Sequence, residues 1–223
     1  MEFMSGFSYI NFLREETKMP NWCNTSMTIE GPKEEIQSIH RKIKEWTSRN
    51  YVENDFGENW LGNIVEGAGF SYKLLDCRGL ISCMDEEITA RQDEPGTCYF
   101  QVQYESAWTD INGTWETILK KFAPNCKIYY VAEELGCGYY VKNDRDGKYY
   151  DDEIIVLSHL EKNNPLYQKW KAEFGGTYMT RQFLKESLTN IFGRMPLRKL
   201  IKKAEAIPQT DDEYVYINQV QYV

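Results

Sequence analysis

The sequence predicts an α+β protein: an antiparallel sheet with two helices on one face, followed by a C-terminal helical segment. Three observations lead there. From Trp22 to Glu30, Cys23, Met27 and Ile29 share one phase of an imperfect apolar–polar alternation, which reads as a strand with one buried face. Directly after it, Ile36, Ile39, Ile43 and Trp46 recur at helical spacing opposite Lys33, Gln37, Arg41 and Lys44, the stripe of a helix lying on a sheet. Charge is also uneven: residues 160–208 hold ten Lys and Arg against four Asp and Glu, whereas residues 1–159 hold sixteen against twenty-seven, in a chain of net charge −8. That step near residue 160 marks a boundary and confines any nucleic-acid contact to the last quarter of the chain.

The first strand ends at Gly31-Pro32, and Pro32 with Glu34 and Glu35 opens a helix over residues 32–47, where a preset φ and the helix dipole favour these residue types. Residues 47–97 are punctuated by Asn50, Asn54, Gly57, Gly62, Gly67 and Gly69 and read as an irregular insertion with short elements of its own. Within it Gly79–Met84 is the candidate second strand. Cys98–Tyr104 is the clearest strand, with Cys98, Phe100, Val102 and Tyr104 on one face. Asn112 or Thr114 caps a second helix striped by Trp115, Ile118, Leu119 and Phe122. Strands follow at 127–132 and 138–141, and Asp146-Gly147 reads as a two-residue hairpin turn. Past Ser158 come a short helix over 165–174, a second capped by Thr180 with Phe183, Leu184, Leu188, Ile191 and Phe192 inward and Gly193 at its end, and a third opened by Pro196. A last strand covers 214–223.

The hydrophobic fraction of 42% and aromatic fraction of 14% suffice for a core, and no apolar run reaches the roughly 18 residues that a membrane span needs. The N-terminal MEFMSGFSYINFLREETK does not read as a secretory signal. The six cysteines (Cys23, Cys77, Cys83, Cys98, Cys126 and Cys137) show no C-x-x-C spacing, so reduced thiols in a cytoplasmic protein are expected, with no metal.

Met19-Pro20-Asn21-Trp22-Cys23-Asn24 with Thr28-Ile29-Glu30-Gly31-Pro32, and a second block of Tyr104-Glu105-Ser106-Ala107-Trp108 with Trp115 and Phe122-Ala123-Pro124, resemble the YubB-type ferredoxin-like domain. The resemblance spans roughly residues 19–153 and implies a β-α-β-β-α-β fold. It also implies kinship with proteins of plasmids, phages and other mobile elements, with no assigned activity and no catalytic residues to carry over. The expected organisation is an N-terminal tail at 1–18, a ferredoxin-like domain at 19–158 with the insertion at about 47–97, and a basic helical addition at 159–223.

Sequence motifs for chemistry are weak. Asp144, Asp146, Gly147 and Glu153 have calcium-loop spacing, but the first ligand position is Lys142, a cation. His40 and His159 lack a partner at catalytic spacing, and no phosphate-cradling glycine motif is present. Neither catalytic residues nor a cofactor are expected. Two surfaces remain. Trp22, Asn24, Glu105 and Trp108 form a candidate aromatic–polar patch for a protein partner or, alternatively, a small ligand or substrate. Arg198, Lys199, Lys202 and Lys203 form a candidate basic face that either docks on the acidic body or contacts nucleic acid. Binding of another protein is the leading expectation.

Overall fold

The computed structural model describes residues 21–49, 57–174 and 176–223. The 1–18 tail, Met19-Pro20, Asn50, Asn54 and the side chain of Cys137 lie outside the described residues. The architecture is α+β and mostly antiparallel, with six helices among the described residues.

The first and larger sheet is built on β1 (Trp22–Pro32), which is paired along both edges. Next come α1 (Lys33–Thr47), the short α2 (Leu61–Gly67), β2 (Gly79–Met84), β3 (Thr89–Ala90) and β4 (Thr97–Ala107). After these come α3 (Asn112–Phe122), β5 (Lys127–Glu134) and β6 (Tyr139–Lys142). The order across the sheet is β6-β5-β1-β4-β2, with β3 pairing β4. Register sets the faces: Thr25, Met27 and Ile29 lie opposite Tyr104, Val102 and Phe100 on one side and Ala132, Tyr130 and Ile128 on the other. These side chains meet the helices. His40 of α1 packs edge-on against Phe100 at 4.8 Å, Trp115 of α3 sits 5.9 Å from Tyr104, and Trp46 meets Phe122 at 5.2 Å. Both helices therefore cover the same face, as their stripes require.

The opposite face carries Ser26, Thr28, Glu30, Tyr99, Gln101, Gln103, Tyr129 and Glu133. Residues 143–152 fold back over part of it. Here the structure departs from the expected hairpin: β6 pairs with β5, whereas the next strand, β7 (Glu153–His159), joins a different sheet. The Asp146-Gly147 turn instead wraps the buried Asp144 carboxylate, which accepts the N–H groups of Lys148 at 2.9 Å, Tyr149 at 2.7 Å and Tyr150 at 2.9 Å. Burial pushes the Asp144 carboxyl up, and the three N–H donors outweigh it, so its pKa lies below the ordinary value. Gly147 supplies the left-handed φ of 65°.

The second sheet has the order β8-β7-β9, from β7, β8 (Tyr178–Thr180) and β9 (Tyr214–Gln219). On one of its faces lie α4 (Tyr167–Glu173), α5 (Arg181–Phe192) and α6 (Leu197–Glu205). They share a second core containing Val156, Trp170, Leu184, Leu188, Leu200, Ala204 and Ile217. The change of core thus falls before Glu153, ahead of the charge step near residue 160, because β7 pairs only with β8 and β9. Thr180 caps α5 as its position predicts, its Oγ1 accepting from Phe183 N at 3.2 Å. Phe183, expected inward, is 48% exposed, since the α5 stripe is carried by Leu184 and Leu188. The last strand divides: β9 stays in the second sheet, and β10 (Gln221–Tyr222) runs parallel to β6 in the first. No helix among the described residues is long and apolar enough to cross a membrane.

Candidate functional site

At the end of the β1–β4 ladder Trp22 pairs with Ala107 and Asn24 with Glu105. The chain then leaves β4 through Trp108, whose φ of 73° is the only left-handed non-glycine backbone among the described residues. An L side chain there costs about 1–2 kcal/mol. Three hydrogen bonds hold the turn: Trp108 N donates to Asn21 O at 2.8 Å, Thr109 N to Ala107 O at 3.0 Å, and Ser106 Oγ to Thr109 O at 2.7 Å. Strain of this kind persists where surrounding contacts over-determine it.

Beside this turn lies an apolar groove of about 780 Å³ lined by Trp22, Trp60, Tyr72, Leu74, Leu75, Leu80 and Ala107, with Lys73, Asp76 and Arg78 among its charged lining. Two glycines shape it. A Cβ on Gly79 would stand 2.0 Å from Glu105 O, so only glycine lets β2 approach β4 there. A Cβ on Gly62 would strike the Trp60 ring at 2.3 Å, so only glycine leaves room for that ring against the backbone. Tyr72 packs edge-on against Trp60 at 5.4 Å. Of the groove's lining, Leu74 is 84% exposed and Trp22 43%, apolar surface left open to solvent.

Further along the open face is a polar cleft of about 410 Å³ between the two sheets, lined by residues including Asn24, Glu105, Glu133, Tyr140, Glu153 and Tyr178. Tyr178 OH donates to Glu133 Oε1 at 2.8 Å. Burial, then the hydrogen bond and charge of Glu133, push the Tyr178 phenol up to about 12. The lining holds three carboxylates and no Lys or Arg. Yet no group of three or more His, Cys, Asp or Glu among the described residues is placed to hold a metal ion.

A third feature is closed. Glu30, buried at the far end of the open face, receives Lys148 Nζ on Oε1 at 2.6 Å, and Arg91 Nη1 at 3.3 Å together with the Tyr149 hydroxyl on Oε2. Tyr149 lies 5.2 Å from both Tyr99 and Tyr129. Burial raises the Glu30 pKa, but the donors from Lys148 and Tyr149 and the two cations outweigh it, so it lies below the ordinary value. This cluster fastens residues 143–152 to the sheet.

The sequence-derived patch is therefore divided. Trp22 lines the groove, Asn24 and Glu105 line the cleft, and Trp108 stands at the strained turn between β4 and α3. Trp60, Tyr72 and Leu74 are not marked by sequence, because they lie in the insertion outside any periodic stretch, and Leu80 reads only as part of the candidate strand Gly79–Met84. Trp115 is core, 1% exposed. His40 is buried and bonds Asp85 O through Nε2 at 2.8 Å, whereas His159 is exposed, 6.1 Å from the Tyr214 ring. Arg198, Lys199, Lys202 and Lys203 are all exposed on α6, and among the described residues none of them forms an ion pair. The contacts that join the two sheets are Tyr178–Glu133, the Tyr140 hydroxyl on Glu153 O and the β10–β6 pairing.

The fold and site define an α+β chain with an open apolar groove. Comparison with family models, curated proteins and solved structures gives no match.

Proposed function

We propose that this chain is a non-enzymatic binding protein that takes a segment of another protein into the groove between Trp22 and Leu80. The observation that carries the reading is the groove itself: aromatic walls, an 84%-exposed leucine at its mouth and a strained turn beside it. Buried aromatic anchors ringed by a few charges are the usual makeup of an energetic interface centre. With Lys73 and Arg78 against Asp76, the fitting partner offers apolar side chains next to an acidic one.

Residues 22–134 further support a ferredoxin-like reading. What supports it is that, with α2, β3 and the added β6 and β10 set aside, the remaining order β5-β1-β4-β2, with α1 and α3 between strands, is compatible with a β-α-β-β-α-β unit. With the YubB-type sequence resemblance of the same segment, this favours an accessory role on a mobile element within the cytoplasm.

The test is affinity capture from the native host with nuclease present, using wild type and a Leu74→Asp, Trp22→Ala variant. Both side chains are substantially exposed, so melting is expected to be unchanged. Loss of a specific protein partner with the variant supports the reading; an identical partner set on both baits refutes it.

A further inference from the structure

We infer that the α5–α6 pair is a second, independent binding site, and that its ligand is duplex DNA. The helices form a helix–turn–helix. Residues 193–196 make a four-residue turn in which Gly193, at φ 81°, donates its N–H to Thr189 O at 2.8 Å, and Pro196 opens α6. Two helices joined by so short a glycine turn are the architecture that presents a second helix to a DNA groove. Leu184 and Leu188 of α5 and Leu200 and Ala204 of α6, all 0% exposed, anchor the pair in one core with Trp170. The anchoring determines what α6 shows to solvent: Arg198, Lys199, Lys202 and Lys203, four cations within one arc of the helix.

Phosphate explains this arrangement better than the alternatives. Like charges so close together weaken an isolated helix, and none of the four forms an ion pair among the described residues. Lys203 reaches back over the Phe192 ring at 5.9 Å, and Lys185 and Arg194, with one acid, Glu186, line a surface groove along α5 and the turn. These extend the positive surface from α6 onto its partner helix. The nine residues of α6 make a cylinder roughly 14 Å long and about 10–12 Å across, a match for the ~12 Å width of the major groove. A single-stranded ligand would call for exposed stacking aromatics beside the cations; Phe192, next to Lys203, is half-buried under that ammonium, and the exposed Phe183 stands at the end of α5 away from the turn. The exposed stacked pair Tyr214 and Tyr216 lies on the other face of the second sheet, since the alternating Val215 and Ile217 point into the core shared with α6. The acidic remainder of the chain repels DNA, so approach is confined to this face.

The test uses the full chain and a fluorescent 20-base-pair duplex of mixed sequence, read by anisotropy. Four phosphate contacts predict a slope of log affinity against log salt of about −3.6, hence roughly 150-fold weaker binding at 200 mM than at 50 mM salt. The variant Lys199→Gln, Lys202→Gln, Lys203→Gln is expected to lose at least tenfold in affinity, with a slope shallower by about 2.7 and unchanged melting. A control reversing the exposed Lys120 and Lys127 on the first sheet's unit is expected to bind as wild type. Absence of binding at 50 mM salt overturns the inference. So does equal affinity for a single strand of the same length, or displacement of the duplex by poly-glutamate at matched charge, which would make the face a site for acidic protein.

Discussion

Replacing Glu30 by Gln removes the charge that holds residues 143–152 over the open face, and its cost can be worked from the geometry. The Glu30 side chain is 6% exposed, and two cations converge on it, Lys148 at 2.6 Å and Arg91 at 3.3 Å. A hydrogen bond to a charged group contributes about 1.5–3 kcal/mol, with a larger cost when a buried partner is left unmatched. Lys148 and Arg91 remain 24% and 15% exposed, so water can resolvate them in part. The glutamine also keeps one acceptor, which brings the expected loss to about 2–3 kcal/mol in all. The pH dependence has a definite sign. The folded-state pKa of Glu30 lies below the ordinary value, so its contribution is complete above the unfolded carboxyl pKa of about 4.3 and is lost as pH falls through the folded value. Urea unfolding of wild type and Glu30→Gln at pH 7 and again near pH 3 measures both. A difference under about 0.5 kcal/mol at pH 7, the scale of an ordinary surface change, would refute the reasoning, as would a gap that does not narrow in acid.

Two further outcomes are expected. At the strained turn, Trp108→Gly is expected to be more stable than Trp108→Ala by about 1 kcal/mol, because only glycine adopts the 73° φ without penalty; thermal melts in the opposite order would show that the turn is not strained. Cys23, Cys77, Cys83, Cys98 and Cys126 are free thiols, and only Cys83 is exposed. A thiol reagent should therefore modify Cys83 first and leave Cys23 and Cys77 until unfolding, since burial pushes those thiols up to about 12 and about 11. A stoichiometric disulfide among these five by mass spectrometry without reductant would contradict this.

Much of the architecture was legible because it is written in local periodicity. The stripe Ile36, Ile39, Ile43 and Trp46 and the alternation along Cys98–Tyr104 each identify an element and its buried face. Gly79–Met84 was found with its observed bounds. What periodicity cannot show is which strands share a sheet. Asp146-Gly147 has hairpin chemistry, yet Asp144 captures that turn and β7 pairs elsewhere. The Glu30 cluster was equally hidden, as its partners lie 61 and 118 residues away. At the candidate site, Trp22 stood out by residue type, whereas the groove it lines depends on Gly62 and Gly79 leaving room for aromatic and strand packing. The cations of α6 were readable as a charge run, but only the fold shows them exposed and set apart from the Tyr214–Tyr216 stack.

The parallel pairing of β10 with β6 changes what the second sheet is. Because Gln221 and Tyr222 align with Val141 and Lys142, the chain leaves the first sheet and later re-enters it. The intervening α4–α6 unit is thus spliced into the first sheet's outermost hydrogen-bond ladder, where a pendant domain would hang from a single linker. Its entry and exit are tied together: Tyr222 bonds Asp152 and lies under the Lys142 ammonium. A tether closed at both ends transmits torque that a single linker would let relax, so an occupant of either surface acts on a chain that cannot swivel freely between them.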